Sequence, residues 1–293
     1  MTGRIIVWTG RPTAIPSVGL SVAATSLVWL SSAGHHFGWA SATSAVLLVS
    51  ALALGIALVR VERRAERPFL PIELLALPAV RYAVLTVIAF ASAMFAMVFY
   101  LPVYLQLALH SNPAESGLLL LPLTGGIVAG AALTGRIIVW TGRPTDIPSI
   151  GLSFAAIALL GLALLPQTRP VLIGLEIMTG VGLGSVMSVM QIVTQTAAGP
   201  ARLGAAASTI SLARTLGSSI GASAFGALIY GLIGGAPVIA GARSAVADAR
   251  IGHAFEIAFL AAAALCLVAA WAASRVPVLR FDGEQTVTAP AVE

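Results

Sequence analysis

The chain has 293 residues, 58% hydrophobic and 9% charged, and its net charge of +5 is carried by 16 arginines with no lysine. A soluble domain carries roughly 25% charged residues, and one this apolar would expose greasy patches that soluble monomers avoid. The basic excess does not point to nucleic acid, because the arginines sit in short segments between apolar runs, as membrane topology requires.

A helix crosses ~30 Å of hydrocarbon with about 20 apolar residues. Eight runs reach that length: 14–32, 41–61, 80–108, 115–138, 147–165, 171–196, 204–234 and 252–274. They are long and lack dyad alternation, which predicts helices that close their own hydrogen bonds in lipid. The expected fold is an all-α integral membrane protein with about eight transmembrane helices. Between the runs, twelve arginines fall on one side of the alternating loops, three on the other, and Arg214 inside a run. The positive-inside rule places the richer side, both termini and the 62–79 linker in the cytoplasm. That linker, with ERRAERPFLPIELL at its core, reads equally as a segment along the membrane surface and as a plain connection. PQTRP at 166–170 reads as a tight outer turn, and 275–293 as a polar cytoplasmic tail. Cys266 lies inside an apolar run, where it reads as a small buried hydrophobe.

One segment occurs twice. TGRIIVWTGRPTAIPSVGLS at 2–21 returns as TGRIIVWTGRPTDIPSIGLS at 134–153, differing only at Ala14/Asp146 and Val18/Ile150. Structural repeats of transporters are weak in sequence, so residues 1–21 read as a transplanted copy of 133–153.

Several ordered motifs resemble one family over most of the chain: HHFGW (35–39), ERRAERPFLPIELL (62–75), YLPVYLQLALHSNPAESGLLLLP (100–122) and LARTLGSSIGAS (212–223). Together they resemble the fourteen-helix drug:proton antiporter branch of the major facilitator superfamily, the EmrB/QacA-type multidrug exporters. The resemblance implies that runs 14–32 and 41–61 are the two central, peripheral helices, and that 80–274 is the C-terminal six-helix half. It also implies that the six helices of the N-terminal half, with the coupling acid and exporter signature, are not in this chain. GRIIVWTGR (135–143) resembles the superfamily's Gly-x-x-x-Asp-Arg-x-Gly-Arg cytoplasmic loop. Gly135, Gly142 and Arg143 match it, while Val139 and Trp140 stand where the acid and first arginine belong.

The residues themselves suggest a pathway. Phe90, Met94, Met97, Tyr100 and Tyr104 share one helical face, which suits either a pocket for varied greasy ligands or simple packing. Ser185, Ser188, Gln191 and Gln195 form a polar face, expected to line a watery cavity. Arg214 lies about 15 Å into its run, where a charge is by default functional or an ion pair. Glu176, in the outer third of its run, reads as an acid touching interfacial water, a proton-coupling group, or a partner for Arg214. The pairs Gly126/Gly130, Gly180/Gly184 and Gly217/Gly221 have the spacing of close helix contacts.

Together with the resemblance, which implies proton coupling and export, these features predict a plasma-membrane exporter of small hydrophobic or amphipathic compounds, driven by a proton gradient. Its expected partners are the lipid bilayer, a small-molecule substrate, and either an N-terminal half or a homodimer partner. A non-transporting partner subunit or an inactive gene remnant is the alternative. No cofactor, metal or nucleic acid is expected, and no reactive constellation of an enzyme is present in the sequence.

Overall fold

The computed structural model describes residues 72–141, 146–166, 168–233 and 245–277. The runs at 14–32 and 41–61, the first copy of the repeat, Gly142, Arg143 and most of the 275–293 tail lie outside the described residues. Within them every regular element is helical: α1 (Ile72–Leu75), α2 (Pro78–Leu107), α3 (Pro113–Leu119), α4 (Leu121–Thr141), α5 (Ile147–Leu164), α6 (Arg169–Gly184), α7 (Val186–Ala198), α8 (Leu203–Ile233) and α9 (Ala245–Ser274), with one 3-10 turn at Pro200–Arg202.

Among the described residues six spans are long and apolar enough to cross a membrane: Pro78–Leu107, Pro113–Trp140, Ile147–Leu164, Arg169–Ala198, Pro200–Ile233 and Ala249–Ser274. Prolines open them where the sequence leaves room for a missing N–H. Pro78, Pro113, Pro148 and Pro170 occupy first-turn positions, where the absent donor has no intrahelical acceptor to lose. Asn112 caps α3, its side-chain oxygen accepting from the Glu115 N–H at 2.7 Å. In the linker, the single turn of α1 tucks Leu74 into full burial.

Contacts at the helix ends fit spans that alternate in direction. At one end Tyr82 of α2 meets Trp271 of α9. At the other, Arg169 at the start of α6 pairs with Glu115 of α3. Packing survives exchange of the first three spans for the last three: α2 lies on α8 as α6 lies on α4, and α9 lies on α2 as α5 lies on α6. Such internal pseudo-symmetry is expected of transporter bundles.

Small residues set the closest contacts. A methyl group added to Gly126 would stand 2.7 Å from the Ile177 carbonyl oxygen, and one at Gly180 would stand 2.9 Å from the Gly126 Cα. The backbones of α4 and α6 therefore touch. Gly217 and Gly221 press α8 in the same way onto Ile88, Ala91 and Ser92 of α2. The Ser92 hydroxyl donates across this seam to the Gly217 carbonyl at 2.8 Å. Buried alanines of α9 (Ala254, Ala258, Ala262, Ala269) complete the core with Ala155 and Ala156 of α5, and Cys266 is fully buried among them.

Candidate functional site

The fourth span breaks in mid-membrane. The helix stops at Gly184 and restarts at Val186, with Ser185 as a turn. The run Gly180-Val-Gly-Leu-Gly-Ser185 explains it: glycines tolerate the bend, and the Ser185 hydroxyl donates to the Gly182 carbonyl at 2.7 Å. Ser185 is buried against Gly151 of α5, whereas Ser188 is exposed and Gln191 and Gln195 are half-buried on α7. The polar face expected at 185–195 is thus split, with its first member serving helix packing.

Beyond the break, α7 and α8 border a groove of about 480 Å³. It is lined by Met187 and Gln191 from α7 and by Ala207, Ser208, Ser211, Leu212, Arg214 and Thr215 from α8. A volume of roughly 300–1,000 Å³ is usual for small-molecule sites, so this groove is large enough for one. Its character is mixed. Methionine, alanine and leucine supply apolar wall. The Thr215 hydroxyl is turned back to the Ser211 carbonyl of its own helix at 3.0 Å. The Gln191 amide and the Arg214 guanidinium are left as the strongest polar groups on the two walls. Arg214 is exposed into this space and not sealed in the bundle. Sequence reasoning found Gln191 and Arg214 but missed Ser208, Ser211 and Thr215, whose spacing along α8 already marked a polar stripe.

Glu176 lies elsewhere. It is fully buried on α6, beside Leu172, Thr179 and Leu183 on the same helical face. Neither carboxyl oxygen has a hydrogen-bond partner among the described residues. Among the described residues it forms no ion pair with Arg214. Fifteen residues separate it from Gln191, about 22 Å along the span.

The aromatic and methionine face of α2 is packed in this structure. Phe90, Met97 and Tyr104 are buried, and Met94 and Tyr100 half-buried. Tyr104 stacks between Phe255 and Phe259 at 5.1 and 5.2 Å. Tyr100 donates to the Ala222 carbonyl at 2.6 Å. The crevice among them holds about 10 Å³, room for about one water. At the end of α4, Gly135 is exposed, and Val139 and Trp140 are 81% and 82% exposed.

Comparison with known proteins adds the family. The profile described as Major Facilitator Superfamily matches residues 9–222. An uncharacterized MFS-type transporter of Mycobacterium tuberculosis is 32% identical over 220 residues, covering 73% of this chain and 32% of the relative. A tetracycline resistance determinant of Streptomyces rimosus is 26% identical over 208 residues, 70% of this chain and 60% of that protein. The multidrug resistance protein Stp of M. tuberculosis is 28% identical over 214 residues, 71% of this chain and 39% of that protein. The chain therefore spans about a third of the length of the first of these relatives.

Proposed function

We propose that this chain, which belongs to the Major Facilitator Superfamily, supplies one six-helix wall of a proton-driven exporter of small hydrophobic or amphipathic compounds. The family is one of transporters and not of enzymes, and the chain is a multi-pass membrane protein by its family and its six apolar spans. The resistance names of the Streptomyces and Mycobacterium relatives support export of antibiotic-like compounds as the substrate class. Within that class the fourteen-helix drug:proton antiporter branch is the best fit to the ordered motifs.

The observation that carries the reading is the groove, where Gln191 and Arg214 share one mixed, ligand-sized space at the broken span. Discontinuous membrane helices build substrate sites because they leave polar groups at mid-membrane. Arg214 would orient polar or anionic parts of the transported molecule, and Met187 and Leu212 its greasy part. Glu176 is the proton-carrying candidate. A carboxyl without a partner exchanges protons with water only when the packing around it opens, which ties proton movement to helix movement. Alternating access needs an opposing wall, from an N-terminal half or a second copy of the chain. The plasma membrane, with both termini cytoplasmic, is the location consistent with the arginine distribution.

Energised efflux and binding of a lipophilic anionic dye test this in two arms. The purified chain alone should bind the dye, Arg214→Ala and Gln191→Ala should each weaken that binding, and the chain alone should not drive efflux. In an assembly with a complete second wall, Glu176→Gln should uncouple efflux from the proton gradient while leaving dye binding intact. Wild-type binding by Arg214→Ala would remove the groove as the site. Gradient-dependent efflux by the chain as a monomer would remove the need for a second wall.

A further inference from the structure

Four side chains form a ladder where α2 begins and α9 ends. The Arg81 guanidinium carbon lies 5.3 Å from the centre of the Tyr82 ring. Tyr82 meets Trp271 edge to face at 6.3 Å between ring centres. The Arg275 guanidinium carbon lies 5.3 Å from the Trp271 ring. Arg81, Trp271 and Arg275 are exposed and Tyr82 is half-buried. Neither arginine has a carboxylate partner among the described side chains.

Position says what such a group faces. Arg81 and Tyr82 are in the first turns of α2, Trp271 is in the last turn of α9, and Arg275 directly follows it. Tyrosine and tryptophan at that depth mark the level where hydrocarbon gives way to headgroups. One turn deeper, the same two helices expose Leu85, Leu267 and Val268, an apolar strip running into the hydrocarbon. Two cations at headgroup level above a greasy strip match a ligand with an anionic head and long apolar tails. Guanidinium is weakly hydrated and its forked donors fit phosphate oxygens, and the aromatic faces hold both guanidiniums in place through cation–π contact.

We propose that Arg81, Tyr82, Trp271 and Arg275 bind the headgroup phosphate of an anionic phospholipid, whose acyl chains lie along Leu85, Leu267 and Val268. The site is independent of the α7–α8 groove and sits at the seam that joins the first span to the last.

Native mass spectrometry of the purified full chain, offered equal amounts of phosphatidylglycerol and phosphatidylcholine, tests it. The wild type should retain phosphatidylglycerol selectively. Arg81→Gln with Arg275→Gln should lower that selectivity about tenfold or more, since each basic residue at the surface contributes to anionic-lipid attraction. Arg81→Lys with Arg275→Lys should fall between, keeping charge but losing the fork. Arg136→Gln, which removes a charge from the exposed end of α4, should change nothing. Inorganic phosphate should not displace the bound lipid. Equal retention of the two lipids by the wild type would overturn the proposal. So would full selectivity in the double glutamine variant, an equal loss in Arg136→Gln, or displacement by inorganic phosphate. Should the double variant fail to fold, the lipid competition on the wild type still decides.

Discussion

The α4–α6 seam and the α7–α8 groove lie along one span and differ in almost every respect. In the seam, Gly126, Gly130, Gly180 and Gly184 let two backbones touch. In the groove, Met187 and Gln191 of α7 and Leu212 and Arg214 of α8 line an open space of about 480 Å³. Lipid offers helices no hydrophobic reason to associate, so side-chain size decides how near they come. The side of Ser185 that carries α6 is thereby closed and the side that carries α7 is left open.

The sharpest way to break this contrast is to put bulk into the seam. Gly180→Val would drive carbon into the backbone of α4, where an added Cβ already stands 2.9 Å from the Gly126 Cα and from the Ile127 nitrogen. Backbone cannot step aside as a side chain can, so a loss of about 3 kcal/mol is expected, read as a lower midpoint of unfolding in detergent. Gly174→Ala on the same helix, with nothing within 4 Å of its added Cβ, is the matched control. Equal stability of the two variants would mean that the seam is not what holds α6. A smaller effect is expected from Tyr100→Phe, which removes the 2.6 Å bond to the Ala222 carbonyl on the other glycine seam. That should cost about 1 kcal/mol in the same assay, and no loss would show that the carbonyl is satisfied otherwise. The smallest effect belongs to the groove, where Gln191→Ala and Arg214→Ala remove no packing. Their unfolding midpoints should match the wild type, and a large drop would turn the groove into a structural contact.

The six described spans were legible because each apolar run is long enough to cross a bilayer and none is interrupted by charge except at single residues. The glycine seams were legible too, since spacing by four puts small residues on one stripe. Spacing puts Ser185, Ser188, Gln191 and Gln195 on one broad face but does not say which part of it neighbouring helices cover: Ser185 meets Gly151 of α5, whereas Gln191 lines the α7–α8 groove. The fate of Glu176 was hidden in the same way. Its depth follows from its position after Pro170, but whether a side chain at that depth meets water depends on which helices surround it, and only the fold supplies those. The Phe90–Tyr104 face was ambiguous by nature, because rings that line a pocket and rings that fill one have the same pattern.

The turn at Ser185 also has a mechanical meaning. α7 continues for thirteen residues beyond it, a rod of about 20 Å, while α6 is clamped to α4 through backbone contact. Bending at the turn strains few helical hydrogen bonds, because the ladder is already interrupted there. A tilt of ~10° would then sweep the far end of the rod by about 3 Å, given that rod length. Gln191 rides on this lever and Glu176 sits in its fixed mount. A small rotation at one serine would then widen or narrow the groove and leave the glycine seam in place, with Val189, Met190 and Val193, fully buried on α7, repacking as it turned.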